Sequence, residues 1–149
     1  MSKLPDIIDQ LAEFSSDPLG FVIWAFPWGE PGELEDELGP EPWQRDVLID
    51  LGKGVLNVQQ AVQLATTSGH GIGKSALVSW IILWAISTFT DTRGVVTANT
   101  ETQLKTKTWV ELAKWFRLCI SKELFELNAT SLKSADPAHE NTWRIDMVP

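Results

Sequence analysis

A glycine-rich stretch that opens onto an apolar segment constrains this sequence more than any other feature. The stretch reads Ser68, Gly69, His70, Gly71, Ile72, Gly73, Lys74 and Ser75. Glycines allow a backbone whose N–H groups converge on an anion, and the first turn of a following helix adds N–H groups and a positive dipole end. Lys74 supplies an ammonium group for phosphates, and Ser75 supplies a hydroxyl that can ligate Mg²⁺. The pattern therefore predicts a phosphate-binding loop over residues 68–75.

The surrounding sequence favours this interpretation over an ordinary glycine-rich turn. A short strand-like run, Ala61 to Ala65, precedes the loop, and the segment from Ser75 to Phe89 is apolar on nearly every face. One position departs from the pattern G-x-x-x-x-G-K-[ST], because Ser68 stands where the first glycine is expected. By contrast, Gly52-Lys53-Gly54 follows a helical stripe and lacks the Ser or Thr, so it is interpreted as a helix end.

The order of the predicted elements indicates an α/β protein. A strand, the loop, an apolar helix, a second strand and an amphipathic helix follow one another, which is typical of a parallel sheet flanked by helices. Further helices are predicted around Ile7–Phe14, from Pro18 at the first helical position, and along the stripe Trp43, Val47 and Leu51. The later elements are a strand over Val95–Ala98, a helix over Glu101–Ile120 with Trp109, Leu112, Ala113 and Phe116 on one side, and a strand over Thr142–Val148.

Composition excludes several classes of protein. The chain has 149 residues, of which 44% are hydrophobic, as expected of one globular domain rather than a disordered chain. The longest apolar run, Ala76 to Phe89, is too short to cross a bilayer, so no membrane association is expected. A lone cysteine, Cys119, and an N-terminus without an apolar signal core favour a reducing, intracellular setting.

The net charge of −8 is unevenly distributed. Residues 1–50 carry a balance of −10, and residues 51–149 carry a balance of +2. Much of the acidity lies in the stretch Gly29 to Pro42, whose proline and glycine residues indicate a solvated connector. The chain is therefore divided into a helical lead-in with an acidic Pro/Gly-rich loop, residues 1–42, and a nucleotide-binding part, residues 43–149.

Residues 40–149 resemble the ATPase domain of tailed-phage terminase large subunits, the motors that package DNA. The resemblance is strongest from Leu64 to Gln103 and includes a Walker A variant with Ser in place of the first glycine. Upstream, Trp43 and Gln44 look like the adenine-recognition motif of that family. Downstream, Val96 to Thr100 with Gln103 looks like the segment after the second strand of its ATPase sheet.

The resemblance implies a P-loop ATPase that couples ATP hydrolysis to packaging of double-stranded DNA. It implies that residues 68–75 bind ATP, that Ser75 binds Mg²⁺, that Gln44 reads adenine and that Trp43 packs on the base. It also implies portal protein and small terminase subunit as partners, a homo-oligomeric ring for the full-length motor, and the cytoplasm of the bacterial host as its location.

Two departures limit what the resemblance implies. His70 occupies the position at which some family members place an arginine finger, and an imidazole cannot replace a guanidinium fork. The Asp-Glu pair that supports Mg²⁺ and orients the attacking water does not occur after Ser75, and Asp146 lacks an adjacent Glu. The sheet is therefore expected to stop before the Walker B strand, with no nuclease region, no catalytic residue assigned, and little or no ATP turnover by this chain alone.

Alternatives remain at several points. The chain could belong to another P-loop motor, helicase-like or recombination ATPase, or be an inactive fragment of a decayed prophage gene. Gln44 could be an ordinary helix-surface residue, and Asn99 and Gln103 could be a cap and an exposed side chain. Basic residues of the helix from Glu101 could contact DNA phosphates or form a solvated face, which the charge pattern favours: Lys105, Lys107, Lys114, Arg117 and Lys122.

Overall fold

The computed structural model of the protein describes residues 4–55, 73–97 and 101–148. The main helices are α1 (Leu4–Leu11), α2 (Pro18–Ala25), α3 (Pro42–Val55), α4 (Lys74–Thr88), α5 (Glu101–Gln103) and α6 (Trp109–Leu118). The strands are β1 (Arg93–Val96), β2 (Phe125–Leu127), β3 (Ser131–Ser134) and β4 (Arg144–Met147). The predicted α/β class is confirmed. The predicted strand over 61–65 lies outside the described residues.

Local signals explain where the first helices begin. Asp17 caps α2, because its carboxylate accepts a hydrogen bond from the Gly20 N–H at 2.9 Å, and Pro18 occupies the first helical position. Helix α3 likewise begins with a proline, Pro42. Its last turn contains Gly52, whose lack of a side chain lets Ser16 and Pro18 approach closely. The predicted start of α2 is confirmed, whereas α3 runs through Gly52-Lys53-Gly54 to Val55 instead of ending at these glycines.

Helix α4 is apolar on nearly every face because it packs against neighbours on several sides. It contacts α2, α6 and β4, and nine of its residues are buried. Two indole hydrogen bonds also hold α4 in place. Trp143 donates to the Ile86 carbonyl of α4, and Trp84 of α4 donates to the Phe14 carbonyl. The predicted central helix is confirmed.

The described sheet is mixed, with strand order β1-β4-β3-β2. Strands β1 and β4 are parallel, with Arg93 opposite Arg144, whereas β3 is antiparallel to both of its neighbours, β4 and β2. The hairpin β2–β3 was not predicted, and its short connection permits only antiparallel pairing. Asn128 closes that turn by accepting hydrogen bonds from the Thr130 and Ser131 N–H groups at 2.9 and 2.8 Å. The expectation of a parallel sheet thus holds for one pair of the described strands.

The helix predicted over 101–120 is present to Leu118 but contains an irregular turn. Residues Leu104–Thr108 form a π-helix between α5 and α6, and the Trp109 N–H bonds to the Leu104 carbonyl five residues earlier. A π turn holds one more residue than an α turn, and this rotates the buried face of the following helix by part of a turn. Helix α6 buries Trp109, Leu112 and Trp115. The sequence pattern identified the first two of these residues and missed the third.

One hydrophobic cluster joins the lead-in to the rest of the described chain. It includes Phe21 and Val22 before the acidic connector, and Leu83 and Leu112 after it. Leu34, within the connector that was predicted to be solvated, is also buried in this cluster. Among the described residues, no helix combines the length and apolar character needed to cross a membrane.

The thiol of Cys119 is buried and is predicted to be unreactive in the folded protein. Burial raises its pKa above the ordinary value of 9.0, against smaller opposing effects of hydrogen bonds from Ser121. We expect a disulfide reagent at pH 8 to label native protein at least about tenfold more slowly than protein unfolded in guanidinium chloride. Complete labelling of native protein within the mixing time would contradict the burial.

The same thiol makes stability depend on pH in a defined direction. Because the folded pKa is raised, the unfolded chain loses its thiol proton first, so the free energy of unfolding falls as pH rises through the ordinary pKa of 9.0. The contribution is fully present below that pH. Denaturant titrations at pH 7 and 10 should show a smaller decrease for Cys119→Ala than for the parent chain, and equal decreases would exclude Cys119 as a contributor.

Candidate functional site

The first turn of α4 places the two chemistry-bearing residues of the glycine-rich stretch. Gly73 precedes the helix in the left-handed conformation, with φ 69° and ψ 17°, and Lys74 and Ser75 are the first two helical residues. A left-handed residue followed by right-handed ones turns successive N–H groups toward one side, the backbone arrangement that binds anions. Lys74 and Ser75 are half-buried. An anion at this helix end would meet N–H groups, an ammonium group and a hydroxyl.

Gln44 connects this helix start to the start of α3. Its Nε2 donates to the Gly73 carbonyl at 2.8 Å, and its Oε1 accepts from the Glu41 N–H at 2.8 Å. The second bond is half of a capping box, in which the third helical residue bonds back to the N-cap. Gln44 is only 3% exposed, so it is a buried residue and not an ordinary helix-surface glutamine. Both ends of its amide are bonded to backbone.

The contact between Gln44 and Gly73 leaves no space for a side chain at residue 73. A Cβ built on Gly73 would lie 2.4 Å from Gln44 Nε2 and 3.9 Å from Trp43 Cζ2. The Gly73 carbonyl also accepts the Leu77 N–H at 3.1 Å, the first hydrogen bond within α4. Glycine is therefore required at this position both by its positive φ and by the close approach of the amide.

Trp43 lies beside Gly73 and carries an unusual hydrogen-bonding deficit. Its indole Nε1 is buried, and no acceptor among the described residues lies within hydrogen-bonding distance of it. The same holds for Trp80 Nε1, on α4. A buried donor without a partner costs about 1–3 kcal/mol.

The structure brings some of the predicted site residues together and leaves others outside its described part. It places Gln44 and Trp43 against Gly73, next to Lys74 and Ser75. The remaining loop residues, Ser68, Gly69, His70, Gly71 and Ile72, lie outside the described residues, as does Asn99. Gln103 is exposed in the short helix α5.

Sequence reasoning did not identify Glu41 and Trp80 as neighbours of this site. Gln44 lies three residues after Glu41, which is the spacing of a capping box. The sequence could therefore have predicted that the Gln44 amide oxygen accepts from the Glu41 N–H. Trp80 was interpreted as a packing residue, and its burial at 2% exposure is consistent with that. Nothing in the sequence distinguishes its unpaired N–H from the paired indoles.

No catalytic carboxylate emerges from the described residues. Asp146 is held by Arg144, whose Nη2 and Nε lie 2.8 and 3.1 Å from its Oδ1, and these hydrogen bonds raise the pKa of the Arg144 guanidinium. Among residues 4–55, 73–97 and 101–148, no group of three or more His, Cys, Asp or Glu side chains could hold a metal ion.

The basic residues along α6 make contacts within the protein. Lys114 Nζ lies 4.9 Å from the centre of the Trp115 ring, and Arg117 Nη2 lies 3.9 Å from the Glu33 carboxylate in the acidic connector. Lys122 Nζ is 3.3 Å from the Arg117 carbonyl. Whether this helix face meets DNA phosphates or only solvent stays a prediction.

A scan against protein-family models, a search of curated proteins and a search of solved structures find no match to the chain.

Proposed function

We propose that this chain binds ATP with Mg²⁺ as the N-terminal part of a terminase-type P-loop ATPase that drives double-stranded DNA into a procapsid. The observation that carries the proposal is the start of α4, where a left-handed Gly73 precedes Lys74 and Ser75 and is fixed by the Gln44 amide. The parallel pair β1–β4 and the helices around it agree with the proposed P-loop sheet without specifying it. Double-stranded DNA, portal protein, the small terminase subunit and the bacterial cytoplasm belong to the same proposal, through the resemblance.

The residues at this helix start have separate roles in binding. The N–H groups of the first turn and the Lys74 ammonium stabilise the negative charge of the β- and γ-phosphates. The Ser75 hydroxyl contributes a ligand to Mg²⁺, which neutralises charge on the phosphates. Gln44 keeps the Gly73 peptide in place. Because no Asp-Glu pair follows Ser75 in this sequence, binding is expected without rapid hydrolysis.

The proposal is tested by measuring binding of Mg·ATP to the full chain by isothermal titration calorimetry, with phosphate release followed in parallel. We expect Lys74→Ala to weaken binding at least about tenfold, because one charge-assisted hydrogen bond to phosphate is lost. Lys53→Ala is the matched control, since Lys53 is exposed near the end of α3, and it should leave binding unchanged.

Two results would contradict the proposal. Absence of heat and of any protection from unfolding at several millimolar ATP would remove nucleotide binding and favour an inactive fragment. Rapid Mg²⁺-dependent hydrolysis that disappears in Lys74→Ala would show that this chain is a complete ATPase of another type.

A further inference from the structure

Ser79 is a buried polar residue in a part of α4 that is otherwise apolar. It lies one turn after Ser75, and it is 1% exposed. Its hydroxyl donates to the Ser75 carbonyl at 2.9 Å. Alanine is the better helix former, and a serine that bonds back to the preceding turn slightly destabilises a helix. Helix propensity and burial therefore both favour alanine at this position.

The bond from Ser79 reaches a peptide unit in the turn that opens the proposed phosphate site. The first hydrogen bond within α4 runs from the Leu77 N–H to the Gly73 carbonyl. The N–H groups of Lys74, Ser75 and Ala76 therefore have no acceptor within the helix. The Ser75 carbonyl and the Ala76 N–H belong to one peptide unit. A donor on that carbonyl thus acts directly on an N–H group that an anion at this helix end would meet.

Gln44 makes the same kind of contact with another peptide unit of this turn. Its Nε2 donates to the Gly73 carbonyl, whose peptide unit carries the Lys74 N–H. Two side-chain donors, Gln44 and Ser79, thus bond to alternate carbonyls of one turn. Hydrogen bonds that form a chain polarise one another, which strengthens each by about 10–30%. The N–H groups of Lys74 and Ala76 are therefore stronger donors to an anion than unassisted peptide groups.

The hydroxyl of Ser75 differs from the other hydroxyls of α4. Three hydroxyls of this helix bond within the protein: Ser79 to the Ser75 carbonyl, Ser87 to the Ser121 hydroxyl and Thr88 to the Trp84 carbonyl. The Ser75 hydroxyl makes no hydrogen bond with another residue in the ranges that the structure describes. Its position is therefore set through the backbone of Ser75, and the Ser79 bond is one of the contacts that hold this backbone.

We infer that Ser79 is a positioning residue of the phosphate site. Its hydroxyl holds and polarises the Ser75–Ala76 peptide, so the Ala76 N–H binds an anion more strongly. Ser79 itself is too deeply buried to contact the ligand. The inference rests on the proposed function, because it needs a phosphate at the start of α4. It also defines the ligand class, since any polyphosphate gains from a stronger backbone donor and the identity of a base does not matter.

Calorimetric titrations of the full chain with Mg·ATP and Mg·tripolyphosphate test this role. We expect Ser79→Ala to weaken binding of both ligands by the same factor, about two- to fourfold, because the assistance to one charge-assisted hydrogen bond is lost. The denaturation midpoint should change little, since alanine is the better helix former. Ser79→Thr restores a hydroxyl and should restore the affinity. A merely structural role would lower the midpoint and leave the affinity of the folded protein unchanged.

Thr88→Val is the matched control. Thr88 makes the same kind of bond, to the Trp84 carbonyl at 2.7 Å, but it is the last residue of α4. Valine keeps the shape of the side chain and removes the hydroxyl, so both affinities should be unchanged.

A second measurement needs no ligand. In ¹⁵N–¹H correlation spectra, loss of the Ser79 donor should move the amide nitrogen resonance of Ala76 upfield, because a hydrogen bond to the carbonyl of a peptide unit polarises its N–H. Ser79→Thr should return the resonance toward its original position, and Thr88→Val should leave it in place.

The outcomes separate this inference from the proposed function. If the parent chain binds both ligands and Ser79→Ala binds them equally tightly, the phosphate site stands and the role of Ser79 is overturned. If Ser79→Ala weakens binding without moving the Ala76 resonance, the loss arises elsewhere and the inference is also overturned. If the parent chain binds neither ligand, the proposed function itself fails and the role of Ser79 fails with it.

Discussion

Replacing Gln44 by alanine is expected to lower the free energy of unfolding by about 2–4 kcal/mol. The substitution removes two hydrogen bonds, one that caps α3 at Glu41 and one that reaches the Gly73 carbonyl, and it empties a buried position. Because the amide fixes Gly73 rather than a ligand, ATP and tripolyphosphate should both bind about five- to tenfold more weakly. Denaturant unfolding and calorimetry measure the two effects.

Two further variants identify which part of the amide matters. Gln44→Glu keeps an acceptor for the Glu41 N–H but replaces the donor to Gly73 with a carboxylate oxygen, so it should weaken phosphate binding at least as much as alanine does. Gln10→Ala removes an exposed glutamine from α1 and should change neither quantity. If Gln44→Ala weakened ATP binding and left tripolyphosphate unaffected, Gln44 would read the base, as the terminase resemblance implies.

Replacing Gly73 by alanine is expected to cost about 3–5 kcal/mol, the largest effect of any single substitution considered for this protein. The left-handed conformation at φ 69° costs an alanine about 1–2 kcal/mol, and the new methyl group would also displace the Gln44 amide, 2.4 Å from the Cβ position. Denaturant unfolding at pH 7 measures the loss. Nucleotide binding should disappear with it, because the Gly73 peptide opens the proposed phosphate site.

Gly29 provides a control that separates strain from collision. Its φ of 72° nearly equals that of Gly73, but a Cβ there would meet only the exposed Leu38 side chain, at 3.4 Å. Gly29→Ala should therefore cost about 1–2 kcal/mol. In a double-mutant cycle, Gly73→Ala combined with Gln44→Ala should cost at least about 1 kcal/mol less than the sum of the single changes. Simple additivity would mean that the two residues do not interact.

Much of the helical part of the fold can be predicted because its signals are local. Asp17 followed by Pro18 marks the start of α2, and the uniformly apolar segment after Ser75 predicts a helix surrounded by other elements. The hairpin β2–β3 escaped prediction because strands of three and four residues carry almost no periodicity. Its best signal is Asn128, a turn residue between Phe125–Leu127 and Ser131–Ser134.

Only those residues of the candidate site that are adjacent in sequence could be predicted. Lys74 and Ser75 follow directly from the glycine pattern. The bond from Gln44 to Gly73 spans 29 residues, and no local preference of either residue specifies it. The sequence also does not predict which indoles lack a partner. Trp80 and Trp84 have the same apolar surroundings in sequence and differ only in whether a hydrogen-bond acceptor lies within reach of the indole N–H.

The register of the sheet also affects how the chain folds during synthesis. The hairpin pairs residues that are close in sequence, such as Leu127 with Leu132, and such hairpins close within microseconds. The parallel pair joins Arg93 to Arg144, so β1 has no partner in the described sheet until β4 has left the ribosome. Helix α4 is made well before β4 and is apolar on nearly every face. During that interval α4 can pack on α2 and α6 but lacks its contact with β4, so part of its apolar surface is open to chaperones that bind exposed hydrophobic segments.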